Sequence, residues 1–189
     1  MFYIITILTA SLLIIAANAI FLSPAVVSVG EIALSVAVGV LAIIAEDGLS
    51  ALILRRLTPT AWYSPDVKVF NVSRKEQKFY RSIKIKKWKD LVPELGLFTG
   101  FSKNDLKSTD DHEYLSRFLL ESNYGVIIHL ANGLLGFVIM FIPLCSTPSI
   151  WIPIFIVNLI LSLMPVAVLR YTSCTLSKLY SRSREKIKK

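Results

Sequence analysis

Glu121, Gly125, His129, Asn132 and Gly136 recur at steps of three or four, with Gly133 beside Asn132. On a helix this spacing gives one polar, small-residue stripe. An imidazole in such a stripe suits proton transfer, because its ordinary pKa of about 6.5 lies near neutrality. His129 is the only histidine within an apolar run of this chain. Ionisable groups in such runs are expensive and face protein or water, not lipid. The same residues also fit helix packing, with Asn132 and the glycines letting neighbouring helices approach and bond. His129 therefore reads equally as a base or as an interhelical hydrogen-bonding partner. Glu121 lies about 12 Å from His129 along a helix axis, so the two line one groove without forming a direct acid–base pair.

Other polar residues sit in similar patterns. Ser28, Glu31, Ser35, Gly39, Ala42 and Glu46 form a second stripe. Glu46 and Asp47 are expected to pair with Arg55 or Arg56. Asn158 and Ser162 share a face at i, i+4 and are expected to meet the His129 stripe. Arg170 ends the last apolar run, where a cation complements a helix dipole or holds a phosphate. Asp110-Asp-His-Glu113 resembles a metal cluster on paper but reads as a solvated turn. The sequence holds no Gly-x-Ser-x-Gly elbow, P-loop, dinucleotide fingerprint or H-x-x-x-x-D motif. No metal or other cofactor is implied.

The elements that must position these residues follow from charge. All twenty-one Lys and Arg residues lie in Arg55–Arg117 and Arg170–Lys189. Four apolar runs fall at Phe2–Leu22, Ala25–Ala45, Val126–Leu144 and Ile150–Leu169, each near the 20 residues a helix needs to cross hydrocarbon. Ser23-Pro24 and Cys145-Ser-Thr-Pro-Ser149 are turn-like, so the runs pair as two hairpins. Basic loops stay in the cytoplasm. The expected fold is an all-α integral membrane protein of four transmembrane helices with a cytoplasmic amphipathic cap. It divides into a hairpin at 1–54, an interfacial cap at 55–125, a hairpin at 126–169 and a basic tail at 170–189. Both termini are expected in the cytoplasm. The net charge of +8 and mean hydropathy of +0.60 point to anionic lipid as a partner and away from nucleic acid. Within the cap, Glu76–Ile83 reads as amphipathic helix while Ile83–Lys86 alternates like a strand. Pro93, Gly96 and Gly100 break the remainder into turns. Tyr114–Leu120 restarts a helix that runs toward the third span. Cys145 and Cys174 are not expected to pair.

The segments Glu76-Gln-Lys-Phe-Tyr80, Ile85-Lys-Lys-Trp-Lys-Asp90, Pro93 and Phe101-Ser-Lys103 resemble the glycosyl-4,4'-diaponeurosporenoate acyltransferase family. So do Glu121 with His129, and Pro165 with Arg170-Tyr171 and Leu176. The chain departs from the family pattern at Val126, where an acid is usual, and in Leu169-Arg-Tyr-Thr-Ser173. The resemblance implies a bacterial cell-membrane enzyme moving a fatty acyl group onto a sugar hydroxyl of a glycosylated carotenoid. Its partners would be the lipid-linked sugar and an acyl donor, as acyl-CoA or acyl carrier protein. His129, Glu121 and Asp90 are then the catalytic candidates. Glu76, Tyr80, Trp88, Lys89, Asn132, Arg170 and Tyr171 are the substrate-binding ones. A non-catalytic scaffold that grips lipid or a partner is the alternative, with transport a third reading.

Overall fold

The computed structural model describes residues 2–22, 27–92, 106 and 108–187. Its helices are α1 (Phe2–Phe21), α2 (Val29–Leu57), α3 (Arg74–Ser82), α4 (His112–Leu135) and α5 (Pro148–Ile187), with short 3-10 turns between them. The described residues contain no strand. Four helices are long and apolar enough to cross a membrane: α1, α2, α5, and α4 with the 3-10 turns that extend it to Phe141. The expected fold class holds, whereas several boundaries move. The Ser23-Pro24 connection, and the cap residues Pro93 to Lys103, lie outside the described residues.

Local sequence explains the ends. Ser28 and Glu31 form a capping box at α2, with Ser28 N donating to Glu31 Oε2 at 2.8 Å and Glu31 N to Ser28 Oγ at 3.2 Å. Asp111 caps α4 by accepting from Tyr114 N at 3.0 Å. Pro148 opens α5, where its missing N–H has no helical partner to lose. Helix α2 does not leave its path at Glu46-Asp47. It continues to Leu57 and carries Arg55 and Arg56 in its last turn, where cations meet the dipole. The 40 residues of α5 make about 60 Å of helix, twice the hydrocarbon thickness. Arg170 therefore marks the end of the apolar run but not of the helix. Ile83–Lys86 is not a strand: Lys84 takes a left-handed conformation at φ 52° and ends α3, and a 3-10 turn follows.

The chain forms two compact units. Unit 1 comprises residues 1–54 and 128–163. Its core is Ile14, Val36, Ile43, Ile139, Ile150 and Ile154. The outward faces are apolar too; Ile4, Leu8 and Leu12 on α1 are all exposed, as lipid contact requires. Because lipid is as apolar as these side chains, close packing and neutral hydrogen bonds must hold the helices together. Tyr3 Oη donates to Leu161 O at 2.8 Å, Asn18 Nδ2 to Ser149 O at 3.1 Å and Cys145 Sγ to Ser35 O at 3.2 Å.

Unit 2 comprises residues 55–127 and 164–189. Leu115, Phe118, Leu119 and Leu176 form an apolar cluster between α4 and α5. Tyr63 stacks on Tyr124 with centroids 3.7 Å apart, and Asn123 Nδ2 donates to Tyr63 O at 2.9 Å. His112 stacks on Tyr180 and meets Ser183 Oγ at 3.0 Å through Nδ1. The Asp110–Glu113 turn is thus a structural tie, and no metal-competent cluster occurs among the described residues. Both cysteines are free.

Candidate active site

Two constellations gather the residues singled out above, one in each unit. The first is a cavity in unit 1 of about 130 Å³. Its walls come from α1, α2, α4 and α5. Asp47, His129, Asn158, Ser162, Ser11 and Tyr3 supply its polar lining, and residues such as Ile14, Val40 and Ile154 its apolar lining.

The hydrogen bonds show why His129 is held there. Asn158 Nδ2 donates to Asn132 O at 3.0 Å, and Asn132 Oδ1 accepts from Ser50 Oγ. Asn132 thus ties α2, α4 and α5 together. Gly133 and Gly136 make the approach possible. A methyl group at Gly133 would press on Ser162 Cβ at 3.2 Å, and one at Gly136 would collide with Asn158. The expectation that Asn158 and Ser162 meet the His129 stripe is met. His129 sits one helical turn before Asn132, so the same tie fixes its backbone.

One feature of this unit, which reaches the cavity through Asp47, departs from ordinary helix packing. Asp47 Oδ1 and both carboxyl oxygens of Glu46 are buried with no hydrogen-bond partner among the described residues. Native structures rarely leave buried carboxyl oxygens unmatched, and an apolar setting makes the omission costly. The expected pairing of Glu46 and Asp47 with Arg55 or Arg56 does not occur among the described residues. Arg55 lies eight residues beyond Asp47 on α2, and its ion pair is with Glu121 at 2.8 Å.

The second constellation lies in unit 2. The Arg170 guanidinium grips Glu76 through Nε and Nη2, both at 2.8 Å. It also donates to Val69 O at 3.2 Å and, at 3.5 Å, to Asn71 O. Four of its five N–H groups are engaged by this fork. Tyr80 Oη donates to Glu76 Oε1 at 2.6 Å, and the Tyr80 ring meets Tyr171 edge-on at 6.4 Å. Ser73 caps α3 and so places Glu76 in its first turn, accepting from Glu76 N at 3.1 Å. Burial alone would raise the Glu76 carboxyl. The bonds from Arg170 and Tyr80, the Arg170 charge and the Ser73 backbone outweigh it, holding the group below its ordinary 4.5. Burial pushes the Tyr80 phenol up, and its bond to the Glu76 carboxylate pushes the same way.

The remaining candidates stand apart from both groups. Glu121 is occupied by Arg55, whose guanidinium also lies 5.3 Å from the Tyr124 ring centre. Lys89 pairs with neighbouring Asp90 at 3.1 Å. Trp88 Nε1 donates to Ile83 O at 3.0 Å and closes its own turn. A polar cleft of about 390 Å³ in unit 2, between Asp66, Asn71, Ser181 and Arg184, contains none of the expected catalytic residues. Sequence reading set Asp47 aside as an arginine partner and passed over Tyr3 and Ser50. Nothing in local spacing marks Tyr3. Ser50 falls one turn beyond Glu46, in line with the second stripe.

A family model for glycosyl-4,4'-diaponeurosporenoate acyltransferase, CrtO, matches residues 59–182. The match takes in His129, Asn132 and the Glu76–Arg170 group, and leaves out α1 and Asp47. No curated protein and no solved structure matches the chain. Four membrane-capable helices and a family match over most of the chain agree, and the protein belongs to the glycosyl-4,4'-diaponeurosporenoate acyltransferase family: it is a membrane acyltransferase of carotenoid glycoside acylation.

Proposed function

We propose that the unit 1 cavity is the acyl-transfer site, with His129 as its general base. The observation that carries this reading is the presence of His129 and an unpartnered Asp47 oxygen in the lining of one largely apolar cavity. A family activity that moves an acyl chain needs a proton acceptor beside an apolar space, and this cavity has both.

In this mechanism a sugar hydroxyl of the glycosylated carotenoid attacks the carbonyl carbon of an acyl thioester. His129 takes the hydroxyl proton as the new C–O bond forms. The C–S bond then breaks, and the leaving sulfur receives that proton from the imidazolium. The products are the ester and a free thiol, with His129 neutral again. Asp47 lines the same cavity and supplies its acid. Asn132 is a positioning residue through its bonds to α2 and α5. Glu76 and Arg170, with Tyr80 and Tyr171 packed beside them, hold unit 2 in shape. We also propose that both termini and residues 55–125 face the cytoplasm, where a thioester donor is supplied. The basic blocks support this orientation.

Membranes carrying His129→Ala or His129→Gln, supplied with an acyl thioester and a glycosylated carotenoid, test the assignment. Acylation is expected to fall by about 10²–10⁴-fold while the protein remains at wild-type level in the membrane. Acylation at the wild-type rate removes His129 from the mechanism.

A further inference from the structure

The unit 1 cavity has two chemically different ends. Helices α1 and α5 run antiparallel, because Tyr3 meets Leu161 and Asn18 meets Ser149. Helix α2 is antiparallel to the segment from α4 to the following 3-10 turn, because Ser50 meets Asn132 and Cys145 meets Ser35. These registers place Tyr3, His129 and Ser162 toward one end of the lining, with Asp47 nearer its middle. Ile14, Val40 and Ile154 lie toward the other, where Ile14 and Ile154 belong to the packed core. Between Ser162 and Ile154 the α5 wall runs about 12 Å, the reach of roughly ten carbons of an extended chain. The cavity volume of about 130 Å³ also holds on the order of ten water-sized groups. Length and volume thus agree on a channel with room for one acyl chain of about ten carbons.

We infer that this channel is the acyl-chain gauge of the enzyme: the acyl group enters with its carbonyl beside His129, and Val40, Ile154 and Ile14 set how many carbons fit. The occupant is the fatty acyl chain because the family transfers one and because the far end is mainly aliphatic, with Ser11 its one polar side chain. Ile154 is the residue best placed to define the end. It is buried, and its Cδ1 lies so near Gly39 that a methyl group there would sit 3.0 Å away. Gly39 thereby leaves Ile154 the room to lie against α2. This inference rests on the proposed location of transfer at His129.

The test is a competition in native membranes. Saturated acyl thioesters of graded length are supplied together with a glycosylated carotenoid, and the ester products are resolved by mass spectrometry. Val40→Phe narrows the channel and is expected to lower the ratio of long- to short-chain product about tenfold. Ile154→Ala lengthens it and should raise that ratio by a similar factor. An unchanged ratio in Ile154→Ala overturns the gauge, as does a shift in the opposite direction. If Val40→Phe does not accumulate in the membrane, Ile154→Ala decides alone. Loss of activity on every chain length by an Ile154→Ala protein that accumulates normally also overturns it. His129→Ala separates the two claims. An active His129→Ala enzyme whose Ile154→Ala counterpart still shifts the profile keeps the gauge and removes the base. A dead His129→Ala enzyme with an unshifted Ile154→Ala profile does the reverse.

Discussion

The two units solve the same problem with different chemistry. In unit 1 the helices are tied by neutral groups: Tyr3 to a carbonyl, Asn18 to Ser149, Asn132 to Ser50 and Asn158. In unit 2 the ties are charged. Arg170 holds Glu76, Arg55 holds Glu121, Arg184 holds Asp66 and Lys186 holds Asp110. The desolvation penalty explains the division. A charge in an apolar span costs several kcal/mol, about 2.5–3.5 even on the mildest scales, whereas an amide or hydroxyl finds its partner more cheaply. Near water the penalty shrinks, and long basic side chains can pair. Helices α4 and α5 contribute to both units and change their chemistry accordingly. Against this rule Glu46 and Asp47 stand out, because they are carboxyls placed in the neutral unit without partners. Asp47 shares its cavity with His129, and on the proposed reading its departure belongs to the functional site.

The largest stability effect is expected where charge carries the structure. Arg170→Ala removes a bidentate partner from Glu76 and leaves three acceptors unfilled. The side chains of the pair are only 15% and 24% exposed, so the loss should reach about 2–3 kcal/mol. Thermal unfolding in detergent measures it. Arg170→Lys should recover only part, because an ammonium cannot reproduce the fork. If Arg170→Ala unfolds like wild type, the charged unit is not held by its charges.

Much of this architecture could be read from the chain, and the gaps have a common cause. Four apolar runs and two basic blocks are local properties, so the helices and the continuation of Tyr114–Leu120 into the third span were legible. Partner choice was not. Glu76 and Arg170 are 94 residues apart, and the sequence offers each as a group waiting for substrate. The structure shows them waiting for each other. Asp47 was misread for the opposite reason, since Arg55 lies only two turns along the same helix. It is taken by Glu121, a residue only the third dimension brings near. His129 was legible because a histidine in an apolar run is rare enough to notice, and Asn132 because it shares the stripe.

The second effect should have the opposite sign. Asp47→Ala removes a carboxyl whose Oδ1 is buried without a partner among the described residues, so the protein is expected to gain about 1–2 kcal/mol against thermal unfolding. On the proposed reading its acyl transfer should fall about tenfold, because the cavity loses its acid. Stability and activity would thus move apart at Asp47 and together at Arg170. A stabilised Asp47→Ala enzyme with full activity would make the unpartnered acid a mere defect. A destabilised one would mean that Asp47 has a partner in the working enzyme.

The smallest and most gradual effect is a pH dependence confined to unit 2. Glu76 is held below its ordinary 4.5, chiefly because the bonds from Arg170 and Tyr80 overcome burial. Its folded-state affinity for protons is therefore lower than in the unfolded chain, and the pair's contribution is complete above about 4.5. As pH falls through the lower folded value, the unfolded state gains protons first and stability declines. Glu76→Gln cannot titrate. The difference in melting temperature between wild type and Glu76→Gln should be constant from neutrality to about pH 5.5 and then shrink with further acid. Other carboxyls titrate in both proteins and cancel in that difference, which leaves Glu76 as its source. A difference that stays constant through the acid limb would mean that the Arg170 fork holds Glu76 by shape alone, and the contrast between a neutral and a charged unit would lose its electrostatic basis.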